Sequence, residues 1–127
     1  MAKQNKDYGY DIQKLYLEMM LQNAETFVRC QSIFDHSLFD RKLQDTAQFI
    51  NKYVTDYNQL PTYDIVNKSC SVDLKHTEQL TEEHFDWLLN DFETFVRHKS
   101  LERAILKSAD MLEKGEYGPV EDLVKKA

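Results

Sequence analysis

Glycine and proline are scarce in this chain, with three Gly and two Pro among 127 residues. Both residues mark turns, and β-sandwiches and β-barrels need many turns. Their scarcity therefore argues against an all-β fold and favours helices joined by short connections. A hydrophobic fraction of 42% and a charged fraction of 30% are typical of a soluble globular protein.

Long apolar stretches are also missing. No segment approaches eighteen consecutive apolar residues, so the sequence predicts no membrane-spanning helix. The opening residues, MAKQNKDYGYD, have no apolar region of the kind found in a secretory signal peptide. These two absences predict a cytoplasmic protein that does not contact a membrane.

Sequence motifs of the common enzyme classes are absent. The chain contains no G-x-x-x-x-G-K-[ST] phosphate-binding loop and no G-x-G-x-x-G, G-x-S-x-G or H-E-x-x-H pattern. Acidic pairs at helical spacing do occur, and we interpret them as solvated polar faces. We therefore expect no catalytic residues and no cofactor in this chain.

Cysteine and histidine do not indicate a metal site. Cys30 and Cys70 form no C-x-x-C pair, and the four histidines form no i,i+4 pair. We interpret the two cysteines as reduced thiols that are at least partly buried.

Positive charge is in short supply, since 22 acidic residues outnumber 16 basic residues and give a formal net charge of −6. Phosphate contacts need clustered Lys and Arg, so we expect no direct nucleic-acid binding. No basic residue interleaves with the aromatic side chains between Phe85 and Phe92. We therefore interpret Phe85, Trp87, Phe92 and Phe95 as core rather than as a platform for stacked bases.

What the chain does contain is a series of capped amphipathic helices. Pro61 ends one of them. Residues 69 to 80 lack a helical period and are predicted to form a loop anchored by Val72, Leu74 and Leu80. Six residues are predicted to be helix N-caps: Asp11, Asn23, Asp35, Asp40, Thr62 and Thr81.

The end of the chain has the most unusual pattern. Residues 82 to 114 contain no Gly or Pro, and Gly115 and Pro119 then predict a tight turn before a second helix. A straight helix over 82 to 114 would be about 50 Å long, whereas a compact domain of this length has a diameter of roughly 36 Å. We therefore expect the helix to extend beyond the globular part. The alternative is a bend near Arg97 to Ser100 that folds the second half onto the core.

The second half of this helix has an apolar stripe. Leu101, Ile105, Ala109 and Leu112 recur at spacings of three and four residues, which puts them on one helical face. Exposed apolar stripes on protruding helices usually mark a contact with another helix or subunit.

These patterns predict an all-α protein, in which a compact multi-helix bundle is followed by a long helix and the start of a helical hairpin. We expect a flexible leader over residues 1–10, a globular helical domain over 11–95 and a truncated hairpin arm over 96–127. The closing segment VEDLVKKA is too short to be a stable helix without packing. It indicates an excised N-terminal piece of a longer polypeptide, the alternative being a complete small protein with a ragged end.

The order of these elements resembles the N-terminal domain of DnaB-type replicative DNA helicases. The resemblance covers roughly residues 12 to 126 and rests on the sequence of elements rather than on one motif. The segments that carry it are LQNAETFVRCQSIFDHSLFD, then NQLPTYDIV, then FVRHKSLERAIL before the glycine turn. The short leader and the loop at 69–80 are more similar to a phage member of the family than to a bacterial one. The ATPase domain of the family, with its phosphate-binding loop, is missing from this chain.

The resemblance implies a role in DNA replication as part of a primosome. In that family the N-terminal domains form a collar on a hexameric ring, helical hairpins pair the subunits into dimers, and the collar binds primase and, in some members, a helicase loader. By that analogy residues 96 to 124 form the pairing hairpin, in the host cytoplasm if the source is a phage. Its apolar contacts would be Leu101, Ile105, Ala109, Leu112, Tyr117 and Val120.

A second hypothesis does not use the resemblance. Small size and acidic charge also fit a stand-alone helical regulatory protein that binds and inhibits a host or phage enzyme.

Overall fold

The structure is a computed structural model that describes residues 8–115 and Gly118. All regular structure in this part of the chain is helical, which confirms the predicted all-α fold. A short 3-10 turn, His36–Leu38, lies between the second and third α-helices. The α-helices are α1 Tyr10–Met20, α2 Ala24–Gln31, α3 Arg41–Tyr57, α4 Tyr63–Cys70 and α5 Glu82–Glu113.

The chain divides into two compact units, Met1–Glu93 and Thr94–Ala127. The division falls inside α5, two residues before the predicted start of the hairpin arm at residue 96. Helix α5 is 32 residues long, and its helical conformation continues through Arg97 to Ser100.

Five of the six predicted N-caps are confirmed. The side chains of four of them accept hydrogen bonds from backbone N–H groups in the first turn of their helices: Asn23, Asp35, Asp40 and Thr62. Thr81 caps α5, since its backbone oxygen and its hydroxyl both accept from the backbone N–H of His84, at 3.0 and 3.4 Å. Satisfying these donors stabilises each helix start by about 1 kcal/mol.

The sixth predicted cap, Asp11, is wrong. Helix α1 begins at Tyr10, its N-cap is Gly9, and no side chain caps it. Asp11 instead lies in the first turn, where its negative charge interacts favourably with the helix dipole.

Helix α5 has a reciprocal cap that the sequence pattern did not predict. The Thr81 backbone N–H donates to Nδ1 of His84 at 2.9 Å, while the His84 backbone N–H bonds to Thr81. This is the arrangement of a capping box in which histidine replaces the usual Glu or Gln. At the other end, Gly115 has a φ of 79°, the left-handed conformation expected of a residue just past a helix end.

Aromatic rings fill the core of the first unit. Phe92 of α5 lies between Tyr16, Phe34 and Phe39, with ring centroids 5.7 to 6.2 Å apart. Phe27 joins the cluster through Phe34 at 5.4 Å. These separations are those of favourable ring packing, which adds about 0.5–1.5 kcal/mol per pair to the burial of the rings.

The core interpretation of the α5 aromatics is confirmed for two side chains, holds in part for a third and is wrong for the fourth. Phe92 and Phe95 are fully buried and Phe85 is half-buried, whereas Trp87 is among the exposed large side chains. The Trp87 ring still contacts the protein, with its centroid 6.2 Å from that of Tyr16.

One hydrogen bond connects the aromatic core to a charge on α5. The hydroxyl of the fully buried Tyr16 donates to the Asp91 carboxylate at 2.5 Å, between residues 75 positions apart in the chain. Burial and this bond to a carboxylate both raise the pKa of Tyr16 far above its usual range, so the phenol keeps its proton.

Two side-chain amides, the buried Gln13 and the partly buried Asn67, hold the connections between helices. Gln13 donates to the Tyr8 carbonyl and accepts from the Asp40 backbone N–H, both at 2.6 Å. Asn67 exchanges two hydrogen bonds with the backbone of Leu74, at 2.8 and 3.0 Å. Leu74 is buried, which confirms it as an anchor of the predicted loop.

Glu18 attaches this loop and α4 to α1. Its backbone carbonyl accepts from the Tyr63 hydroxyl at 2.6 Å, and its carboxylate accepts from the Lys75 backbone N–H at 2.9 Å. The residues after α4 are thereby held by specific bonds although they form no regular structure.

We expect Tyr16→Phe to lower the free energy of unfolding by about 1–3 kcal/mol, because it removes a buried hydrogen bond to a charged acceptor. Urea denaturation followed by circular dichroism measures the change. Tyr57→Phe is the matched control, since Tyr57 is exposed and its hydroxyl should contribute little. Equal effects of the two substitutions would contradict a stabilising role for the Tyr16–Asp91 bond.

Candidate interaction surface

The second half of α5 presents the apolar stripe that the sequence predicts. Leu101, Ile105 and Leu112 are 47%, 60% and 51% exposed, and Ala109 is also exposed. We call these four residues the exposed stripe. Tyr117 and Val120, the other two predicted contact residues, lie outside the described residues.

A neighbouring face of the same helix segment is more buried. Ala104, Ser108 and Met111 follow one another at spacings of four and three residues, and Ser108 is buried. The Ser108 hydroxyl has no hydrogen-bond partner among the described residues. The apolar arc of this segment is therefore wider than the predicted stripe, and only one side of it is buried.

Exposed apolar side chains are concentrated in this segment. Four of the nine large hydrophobic side chains that are exposed in the described part of the chain lie between residues 101 and 112. The most exposed of the nine is Leu106, at 67%, which is one residue away from Ile105 and therefore about 100° around the helix from it. The sequence pattern did not single out Leu106 because it lies off the stripe.

Charge is divided along α5. Residues 82–93 contain five acidic side chains and no Lys or Arg, whereas residues 94–107 contain four Lys or Arg and one acid. The net charge of −6 hides this division, since it sums over the whole chain.

A groove of about 380 Å³ lies in the first unit between α2 and the start of α5. Its walls combine three acids with one Arg, and that Arg, Arg29, is paired with Glu25 at 3.2 Å. The groove is lined by Asn23, Glu25, Thr26, Arg29, Leu80, Thr81, Glu82, Phe85, Asp86 and Leu89. We call it the acidic groove.

The two cysteines are not disposed for nucleophilic chemistry. Cys30 is buried, and burial raises the pKa of its thiol to about 11. Cys70 is partly buried, and its pKa is raised for the same reason. Because the thiolate is the reactive form, both thiols are weak nucleophiles at neutral pH.

Over residues 8–115, no three His, Cys, Asp or Glu side chains come together in a group that could hold a metal ion. No helix within that same range is both long enough and apolar enough to cross a membrane. Comparisons of the chain with protein-family models, with curated proteins and with solved structures find no match.

We expect the free energy of unfolding to fall as the pH rises from about 9 to about 11. The lower value is the ordinary pKa of a cysteine thiol, and the upper value is the raised pKa of Cys30 in the folded protein. The folded-state pKa lies above the unfolded one, so this contribution is complete below pH 9 and is lost as the pH rises through 11. Cys30→Ala should reduce the loss by about 2–3 kcal/mol. Urea denaturation at several pH values measures it, and identical pH profiles for the two proteins would contradict the effect.

Proposed function

We propose that this chain is the N-terminal collar domain of a phage-type replicative DNA helicase related to DnaB. In this role it associates with other subunits and recruits primase or a helicase loader during DNA replication. The catalytic residues of such a helicase belong to a separate ATPase domain. The observation that carries the proposal is the exposed stripe on the second half of a 32-residue helix.

The order of elements supports the same proposal. Three α-helices lead through the Pro61 connection and the α4 helix to a single long helix, which is followed by a glycine with positive φ, Gly115. A helix followed by such a glycine is suited to turn back into a hairpin.

The stripe has the chemistry of a helix-pairing surface. Burying a Leu or Ile side chain completely gives about 1.5–3 kcal/mol, and the three large side chains of the stripe are already about half covered. Pairing two copies covers the exposed halves of six such side chains, a gain of about 5–9 kcal/mol. This gain lies within the range of the cost of association, about 4–15 kcal/mol. We therefore expect weak pairing of isolated chains and stronger pairing in a ring, where the effective concentration is high.

The alternative function is a stand-alone acidic helical regulator of a host or phage enzyme. The acidic first half of α5 favours it, because a block of one charge sign steers binding of an oppositely charged partner.

We expect Ile105→Asp to weaken self-association roughly tenfold or more, because it places a charge in the centre of an apolar contact. Sedimentation velocity over a range of concentrations measures the association, and circular dichroism checks that the helices are retained. Val28→Asp is the matched control, since Val28 is 59% exposed and lies on α2. Equal weakening by both substitutions would count against the stripe as the pairing surface.

Sequencing of the gene separates the two functions. The helicase proposal predicts that the reading frame continues past Ala127 into a domain with a G-x-x-x-x-G-K-[ST] loop. A stop codon directly after Ala127 would instead support the stand-alone regulator.

A further inference from the structure

The acidic groove lies entirely within the first unit, between α2 and the start of α5. On the α2 side, the charge of Arg29 is neutralised by Glu25. On the α5 side, four residues line the groove at the i, i+3, i+4, i+7 spacing of a single helical face: Glu82, Phe85, Asp86 and Leu89. A molecule in the groove would therefore contact one continuous face of α5.

Apolar and acidic side chains are separated on this face. At about 100° per residue, Phe85 and Leu89 lie next to the buried Phe92 around the helix. Glu82 and Asp86 follow them on the side away from Phe92. The two apolar side chains are half-buried, whereas the two acids are exposed. The groove thus has an apolar floor that continues from the core and an acidic rim on the solvent side.

The described part of the chain does not neutralise the charge of this rim. Neither Glu82 nor Asp86 forms a hydrogen bond or an ion pair with a described residue. The helix dipole accounts for an acid in the first turn of α5, where Glu82 lies, but its effect falls off beyond that turn. Asp86 lies beyond the first turn, so the dipole does not explain its position. Both carboxylates are available to a cation from outside the chain.

We propose that the acidic groove binds a basic amphipathic helix of another protein. Two Lys or Arg side chains of that helix, four residues apart, pair with Glu82 and Asp86. Apolar side chains beside them pack on Phe85 and Leu89. Because the two acids are also four residues apart, about 6 Å along the helix axis, the charges of the two helices match in spacing. This is helix-in-groove recognition, in which side chains at helical spacing fill a groove.

Charge and volume both favour this occupant. The acidic rim repels nucleic acid, whose phosphates need Lys and Arg. The described residues provide no third ligand beside Glu82 and Asp86 for a metal ion. The volume of about 380 Å³ is near the lower end of the range of ligand pockets, about 300–1,000 Å³, so the groove takes a few side chains of a partner. Side chains that are cationic at one position and apolar at the next complement both the rim and the floor.

The groove is separate from the exposed stripe, which lies in the second unit. The proposal holds equally for a collar domain and for a stand-alone regulator, since each binds a second protein. It therefore does not rest on membership of the helicase family. A chain that pairs with its own copy through the stripe keeps the groove for a different protein.

The test uses the full chain and a fluorescently labelled helical peptide. The peptide is alanine-based and carries two lysines four residues apart, next to two leucines. It is about 15 residues long, because shorter helices are marginal in water. Fluorescence anisotropy at low salt should show binding that Glu82→Gln with Asp86→Asn weakens roughly tenfold, since two surface ion pairs are lost. Added salt should weaken native binding, because exposed charges are screened.

The matched control is Asp45→Asn with Asp64→Asn, which removes the same charge from exposed positions outside the groove. This variant should bind the peptide as the native chain does. A peptide with glutamates in place of the lysines should not bind. If circular dichroism shows that the groove variant is unfolded, Asp86→Asn alone replaces it, because Asp86 lies beyond the first turn of α5.

The outcomes separate the groove from the stripe. No binding of the lysine peptide by the native chain would overturn the proposal. Equal weakening by the groove variant and the control would also overturn it, since it would indicate general attraction to an acidic protein. A groove variant that loses self-association but keeps peptide binding would make a second copy the occupant instead. Ile105→Asp should leave peptide binding unchanged, so that the stripe can fail while the groove is confirmed.

Discussion

The hydrogen bond from Tyr16 to Asp91 fixes how the first half of α5 lies on the first unit. Once Asp91 bonds to Tyr16, the neighbouring Phe92 enters the aromatic cluster, and Leu88 follows it one turn earlier into the core. Phe85 lies two helical turns before Phe92 on nearly the same face, and it is half-buried. Together with Asp86, which is about 100° further around the helix, it lines the groove beside α2. The groove therefore adjoins the face of α5 that the aromatic core orients.

The two segments of α5 also carry charges of opposite sign. The first half carries all its charge as acids, and the helix start favours acids because of the helix dipole. The next segment carries mostly Lys and Arg, with apolar side chains interspersed on two of its sides. A single helix can therefore present an acidic surface in one unit and an apolar and a basic surface in the other, which provides several kinds of contact from one element.

The parts of this fold that could be predicted from sequence are those set by local chemistry. The N-caps at Asn23, Asp40 and Thr62 depend on a side chain and the next few backbone N–H groups, so a short pattern contains the whole interaction. The roles of Gln13, Asn67 and His84 were missed because their side chains bond to backbone groups that tertiary packing or loop geometry brings to them. Polar residues of these types are usually exposed, so composition argues against their structural roles.

The candidate interaction surface, too, could be predicted only as far as local helical spacing determines it. Helical spacing places Leu101, Ile105 and Ala109 on one face, but it does not say which side of the apolar arc is buried. The structure buries the side with the polar Ser108 and leaves the more apolar side, with Leu101 and Ile105, exposed. A helix segment optimised for the stability of the isolated chain would bury its most apolar side and expose the side with Ser108. The exposed stripe thus adds little to the burial of apolar surface within the described part of the chain, and this is the property on which the proposed pairing surface rests.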